Sequence, residues 1–169
     1  MTPIEIIAAG VLVLILTPII VIDVRERRIP NGLNALLAAT GLGFRAVTAS
    51  SWSALLSSLV APLAVLAMFL ALIAAMKWLR RPGTLGLGDV KFLAAASIWV
   101  GFVGSTLVFV VASLLALAFT LACAPWRKLN LRAAIPFSPF LALSLALIFV
   151  TTASLAAVPL ASGLAISAG

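Results

Sequence analysis

The sequence has no histidine, a single cysteine (Cys123) and only four acidic residues: Glu5, Asp23, Glu26 and Asp89. Each scarcity excludes something. One cysteine permits no disulfide framework within the chain and no zinc-thiolate site, and without histidine there is no His-based nucleophilic triad. Cys123 lies inside an apolar run, where a small apolar filler facing lipid or a neighbouring helix accounts for it. Charge is sparse as well: 9% of the 169 residues are charged, against 64% hydrophobic. A soluble domain carries roughly 25% charged residues, so water is not the main solvent for this chain.

What is present is a series of apolar runs, several reaching the length of about 20 residues that a bilayer core demands. The expected fold is therefore all-α, a polytopic transmembrane helix bundle, with residues 1–169 forming one membrane domain. The net charge of +7 would suggest nucleic acid in a soluble protein. Here the basic residues cluster between apolar runs, which fits the excess of Lys and Arg in cytoplasmic loops and gives no support to nucleic-acid binding. The first apolar run starts after Glu5 with no basic segment before it, and Arg25, Arg27 and Arg28 follow it. That order reads as a first span with its N-terminus outside, and not as a cleaved signal peptide.

The first span covers about residues 4–22 and ends at Asp23. Pro30 and Asn31-Gly32 mark a turn and a new helix start. The second span, about 33–47, is the weakest, because Thr40, Gly41, Gly43 and Arg45 lower its hydropathy. Thr48 to Ser53 form a short external loop, with Trp52 as an interfacial anchor. The third span, about 54–76, stops at Lys77, Arg80 and Arg81, and the Gly-rich stretch from Pro82 to Asp89 is non-helical for part of its length. The run from Val90 to Ala124 is too long for one ordinary span. Lys91 and Arg127 flank it and both belong in the cytoplasm, so it is read as two short helices turning near Gly101–Gly104. A last span starts at about Ala133, opened by Pro136 and Pro139. The result is about six spans with both termini on the extracytoplasmic side. Ten of the eleven Lys and Arg residues then lie in or beside cytoplasmic loops, and only Arg45 is misplaced. The sequence leaves open whether the tail beyond Pro159 is helical.

In that topology Asp23 and Asp89, the only aspartates, fall at cytoplasmic helix boundaries and at one membrane depth. An ionisable side chain in or beside a bilayer core is expensive, roughly 2.5–3.5 kcal/mol at the centre. Taken singly, each has a plainer role: Asp23 as counter-charge to Arg25 and Arg27, Asp89 as the N-cap of the fourth helix. Taken together, two nearby carboxylates cannot easily both ionise and so share a proton. One then acts as base on a water while the other donates to a scissile carbonyl, the pattern of aspartic proteases. That chemistry needs no metal and no cofactor. Gly86 and Gly88, just before Asp89, are either loop flexibility or a means for backbone to approach a substrate strand.

Two segments together resemble the prepilin peptidase family, the membrane-embedded GxGD aspartyl proteases that trim prepilins. One is Asp23-x-Arg25 followed by Ile29-Pro30-Asn31; the other is Gly86-Leu87-Gly88-Asp89-Val90-Lys91. A third, Pro136-Phe137-Ser138-Pro139, is similar to the family's P-x-G-P stretch, with Ser138 where glycine is commoner. The resemblance runs from about residue 15 to residue 145. It implies that Asp23 and Asp89 are the catalytic pair and that Gly86, Gly88 and Lys91 belong to an active-site loop. Lys91 also has a plain reading, a lysine snorkelling at the interface. Pro30, Asn31, Pro136 and Pro139 would shape turns and helix starts near the site.

The larger bacterial members of that family carry an extra cytoplasmic region with paired CxxC motifs that goes with N-methylation of the trimmed pilin. With one cysteine, this sequence contains no such motifs. The expectation is a peptidase without methyltransferase activity and with no use for S-adenosylmethionine or zinc. The compact form resembles the small peptidases of Tad/Flp-type pili and the archaeal preflagellin peptidases. The implied setting is the cytoplasmic (inner) membrane, with membrane lipid around the bundle and the site on the cytoplasmic side. The implied partner is a prepilin or pseudopilin with a short basic leader and a following apolar helix. The oligomeric state is not indicated. A transporter or proton relay using the same two acids, or a non-catalytic pilus or secretion scaffold, is the competing reading.

Overall fold

The computed structural model describes residues 1–79, 86–123 and 136–157, which among them hold five helices and no strand. They are α1 (Pro3–Glu26), α2 (Asn31–Thr48), α3 (Trp52–Trp78), α4 (Leu87–Cys123) and α5 (Ser138–Ala157). The basic pair Arg80 and Arg81, the loop holding Arg127, Lys128 and Arg132, the start of the last span at Ala133 and the tail beyond Pro159 lie outside the described residues.

Local chemistry sets the helix ends. Thr2 caps α1: its Oγ1 accepts the Glu5 N–H (3.3 Å), and Glu5 Oε2 accepts the Thr2 N–H (2.7 Å). This reciprocal capping box places one of the four acids at a helix start, where the dipole favours it. Arg27 closes α1 in the left-handed conformation (φ 53°) and donates its N–H to the Asp23 carbonyl at 2.8 Å. Asp23 is therefore one turn inside α1 and not beyond its end. Ser51 caps α3 by accepting the Ala54 N–H at 3.3 Å.

The 37 residues of α4 are broken at Gly101, which has φ 78° and ψ 178°. Only glycine adopts that conformation without severe strain. The chain doubles back there. Residues 89 and 109 would stand about 30 Å apart on a straight helix, yet both come to Phe137. Asp89 shares a cavity lining with Phe137, and the Phe109 and Phe137 ring centroids are 6.2 Å apart. The first limb (87–100) packs between α2 and α3. The second (102–123) starts beside Ser58 and Ala61 of α3 and returns alongside it, with the Phe69 and Phe109 rings 4.9 Å apart.

The core is the seam where all five helices converge, built from Leu12, Ile19, Leu37, Val65, Phe69, Phe92, Leu93, Val108, Leu141 and Leu145. The outer faces are apolar too. Leu14, Leu63, Val103 and Leu155 are each at least two-thirds exposed, as expected where the surrounding solvent is lipid. Trp52 and Trp78 are exposed at opposite ends of α3, the depth of the interfacial aromatic belts.

Four helices, α1, α3, α4 and α5 (through Leu155), are long and apolar enough to cross a membrane, where the sequence predicts about six spans. Two causes account for the difference. The two limbs of α4, joined at Gly101, count as a single helix, and α2 falls short because Asn31, Asn34, Thr40 and Arg45 dilute it.

The polar and small residues of α2 have packing duties. Trp99 Nε1 donates to the Leu37 carbonyl (2.8 Å), and its ring stacks on Phe44 and meets Phe149 edge-on. A Cβ on Gly41 would lie 2.6 Å from Trp99 Nε1. Gly41→Ala is expected to displace the indole and lower stability by roughly 1–3 kcal/mol, the usual penalty of overpacking. A lower thermal midpoint in detergent is the readout.

Arg45, the misplaced cation, has a structural partner. Its Nε donates to the Ile98 carbonyl and its Nη2 to the Trp99 carbonyl, both at 2.9 Å. The break at Gly101 leaves the last carbonyls of the first limb without intrahelical donors, and Arg45 supplies two.

Candidate active site

Asp23, on the last turns of α1, is buried, with 7% of its surface exposed. Its Oδ2 accepts the backbone N–H of Ser138 at 3.2 Å. That N–H is one of the unpartnered donors at the start of α5, where the helix dipole also favours an anion. Pro139, next in line, has no N–H to offer, so Ser138 is the residue that tethers the carboxylate.

Asp89 is the third residue of α4 and half-buried. Its carboxylate reaches back to accept the backbone N–H of Gly86, and Gly86 O in turn accepts the Val90 N–H at 3.2 Å. Gly86 is thus the N-cap residue and Asp89 fills the position that glutamate takes in a capping box. A Cβ on Gly86 would lie 3.0 Å from Asp89 Oδ2, which explains why a side chain is unwelcome there. Gly88 is different. It lies inside the first turn of α4, not in a loop, and a Cβ on it would meet only Ile29 at ordinary contact, 3.7 Å. Lys91 is also helical; its Nζ donates to Asn31 Oδ1 at 3.0 Å and so ties the starts of α2 and α4 together.

Both carboxylates line one cavity of about 370 Å³ at the end of the bundle where α1 finishes and α4 and α5 begin. They lie within reach of each other's charge. Of the residues singled out from the sequence, Asn31, Gly86, Gly88, Lys91 and Pro136 share that lining; Pro30 and Pro139 do not. Pro30 instead opens α2, its carbonyl accepting from Leu33 and Asn34. Arg27 also lines the cavity, as do Ile29 and Phe137, which the sequence placed in motifs without a role in the site; the tethering role of Ser138 was likewise not evident from the sequence. The pair of prolines opening α5 was the available signal for Ser138, since a helix start presents free N–H groups. Arg28 is occupied by Glu26, Nη2 to Oε2 2.7 Å.

The structure defines a helical membrane protein with two carboxylates, carried on separate helices, lining a shared cavity at one end of the bundle. A sequence model of the type IV leader peptidase family matches residues 10–121, and the chain belongs to that family. Membership implies an aspartic-type hydrolase that removes the leader from prepilin-like substrates. The match includes Asp23 and the Gly86–Lys91 segment and stops short of Pro136–Pro139. No curated protein and no solved structure matches the chain.

Proposed function

We propose that this protein is an aspartic endopeptidase that removes the short basic leader from prepilin-like proteins at the cytoplasmic face of the inner membrane. The observation that carries the proposal is that the chain's only two aspartates line one cavity. One carboxylate, ionised, takes a proton from a water as the water oxygen attacks the scissile carbonyl carbon. The other, protonated, donates a hydrogen bond to the carbonyl oxygen. The proton is then returned to the leaving amine as the C–N bond breaks. Tethering of Asp23 by Ser138 and of Asp89 by Gly86 holds both groups in place before substrate arrives.

The described helices belong to one membrane domain. In this reading the two limbs of α4 each cross the bilayer, with α2 completing six crossings and both termini outside. Arg27, Arg28 and Lys91, at the rim of the cavity, then lie on the cytoplasmic side. The site serves cleavage alone, without methyl transfer, S-adenosylmethionine or zinc.

The test is purified protein in detergent with a synthetic peptide holding a basic leader and an apolar helix, the products identified by mass. A single cut between leader and helix supports the reading; an intact peptide under all conditions refutes it. The kcat/KM profile is expected to be bell-shaped, falling on the acid side as the base is protonated and on the alkaline side as the acid is lost. A profile flat across pH would exclude the pair.

The two glycines separate in the same assay. Gly86→Ala is expected to lower the rate about tenfold or more, because the new methyl pushes on the Asp89 carboxylate. Gly88→Ala, with room for its methyl, is expected to stay within about twofold, since Ala suits a helix better than Gly.

A further inference from the structure

A second cavity of about 370 Å³ opens between α2 and α3, with the first limb of α4 as its floor. α2 and α3 barely touch one another, and each packs on α4. The walls are small and apolar: Ala35 and Ala38 of α2, Ala94 and Ala95 of α4, Pro62 and Leu66 of α3. Small residues let another helix approach closely in lipid, where packing and not hydrophobicity drives association.

Two features mark it as more than a lipid-filled cleft. Asn34, 6% exposed, lines it, and neither its Oδ1 nor its Nδ2 has a hydrogen-bond partner among the described residues. A buried carboxamide without partners is costly, and a polar group brought into the groove would relieve that cost. The cavity also adjoins the candidate active site: Asn31 and Lys91, hydrogen-bonded to each other, line both. Asn34 stands one helical turn beyond Asn31 on α2, deeper in the bundle.

We infer that this groove binds the first turns of the substrate's apolar helix, and that Asn34 pairs with the polar groups that turn leaves free. The first N–H groups of any helix have no intrahelical acceptor, and Asn34 Oδ1, covered in the free protein, takes one when its side chain turns into the groove. A substrate so held passes over the Asn31–Lys91 pair to reach the space that Asp23 and Asp89 line. The inference rests on the peptidase reading of that space, and deepens it by naming where the uncut helix docks.

Two measurements test it. In the first, Asn34→Leu and Ala38→Phe are assayed on the helix-bearing peptide and on a short peptide ending just past the scissile bond. KM for the helix-bearing peptide is expected to rise about tenfold, the effect of one lost hydrogen bond or a filled contact, with a far smaller effect on the short one. Asn34→Leu removes an unpaired amide, so its thermal midpoint is expected to hold or rise. Variants that treat both peptides alike overturn the inference.

In the second, Cys123, the only cysteine, is replaced by serine in an Asp89→Asn background that keeps the peptide uncut. Ala38→Cys, in the groove, and Leu14→Cys, on the lipid face, are each offered a peptide with one cysteine in its helix. A disulfide to the peptide through position 38 and none through position 14 is the expected result. No peptide adduct at position 38 overturns the groove even where the wild-type protein cleaves. A disulfide between two copies of the protein in its place assigns the surface to self-association. Peptide capture at position 38 by a protein that cuts nothing in its wild-type form retains the groove and refutes the peptidase reading.

Discussion

Asp23→Asn and Asp89→Asn are each expected to reduce leader cleavage by about 10³-fold or more, the scale of losing an acid or base from the reacting centre. Both variants should insert and fold. An asparagine Oδ1 still accepts the Ser138 N–H that Asp23 accepts at 3.2 Å, and at position 89 it still accepts the Gly86 N–H. Removing a negative charge from the end of the bundle also relieves repulsion between the pair. The change is therefore confined to proton transfer: an amide neither takes a proton from water nor donates one in the manner of a carboxylic acid. Residues that act as a unit are non-additive, so the double variant should be no slower than the slower single one. Initial rates on the leader peptide, beside thermal midpoints in detergent, provide the check. Cleavage within about tenfold of wild type in either variant would mean that this carboxylate is a charge partner or helix cap and no more.

Arg45→Met should destabilise the fold by roughly 2–4 kcal/mol, because it strips donors from two buried carbonyls. Those carbonyls, of Ile98 and Trp99, end the first limb of α4 just before Gly101, and in lipid no water replaces the missing donors. Arg45→Lys should recover only part of the loss. One ammonium does not reproduce the planar fork that spans two acceptors. The opposite prediction follows if Arg45 is merely a stray cation on the wrong side of the membrane: removing it would then stabilise the protein. Thermal unfolding of the three proteins in one detergent decides between the two, and cleavage activity should track the folded fraction.

Arg45 also shows where reading the chain residue by residue stopped. It counted as the one exception to the charge pattern, because the acceptors that justify it are 53 and 54 residues away. Asp23 and Ser138 are 115 residues apart, and nothing local to either announces the other. The weakness of the second span has the same origin. Gly41 lowers hydropathy, yet it is there to admit the Trp99 ring, a requirement visible only once α2 and α4 are side by side. By contrast, the break at Gly101 was legible within one turn, since the length of the apolar run and the cations flanking it demanded a reversal and two glycines offered a place for it.

The amino-acid order was enough to establish the lipid solvent, the helical class, the pair of aspartates and the family signature around them. Hydropathy, charge bias and capping are sums over neighbouring residues, and neighbours in the chain are what a sequence displays. Which N–H group holds Asp23, why Arg45 is tolerated and where a groove adjoins the cavity depend on contacts between helices distant in the chain. Only folding brings those helices together: α5 to α1 at Asp23, and α2 to α4 where Gly41 admits the Trp99 ring.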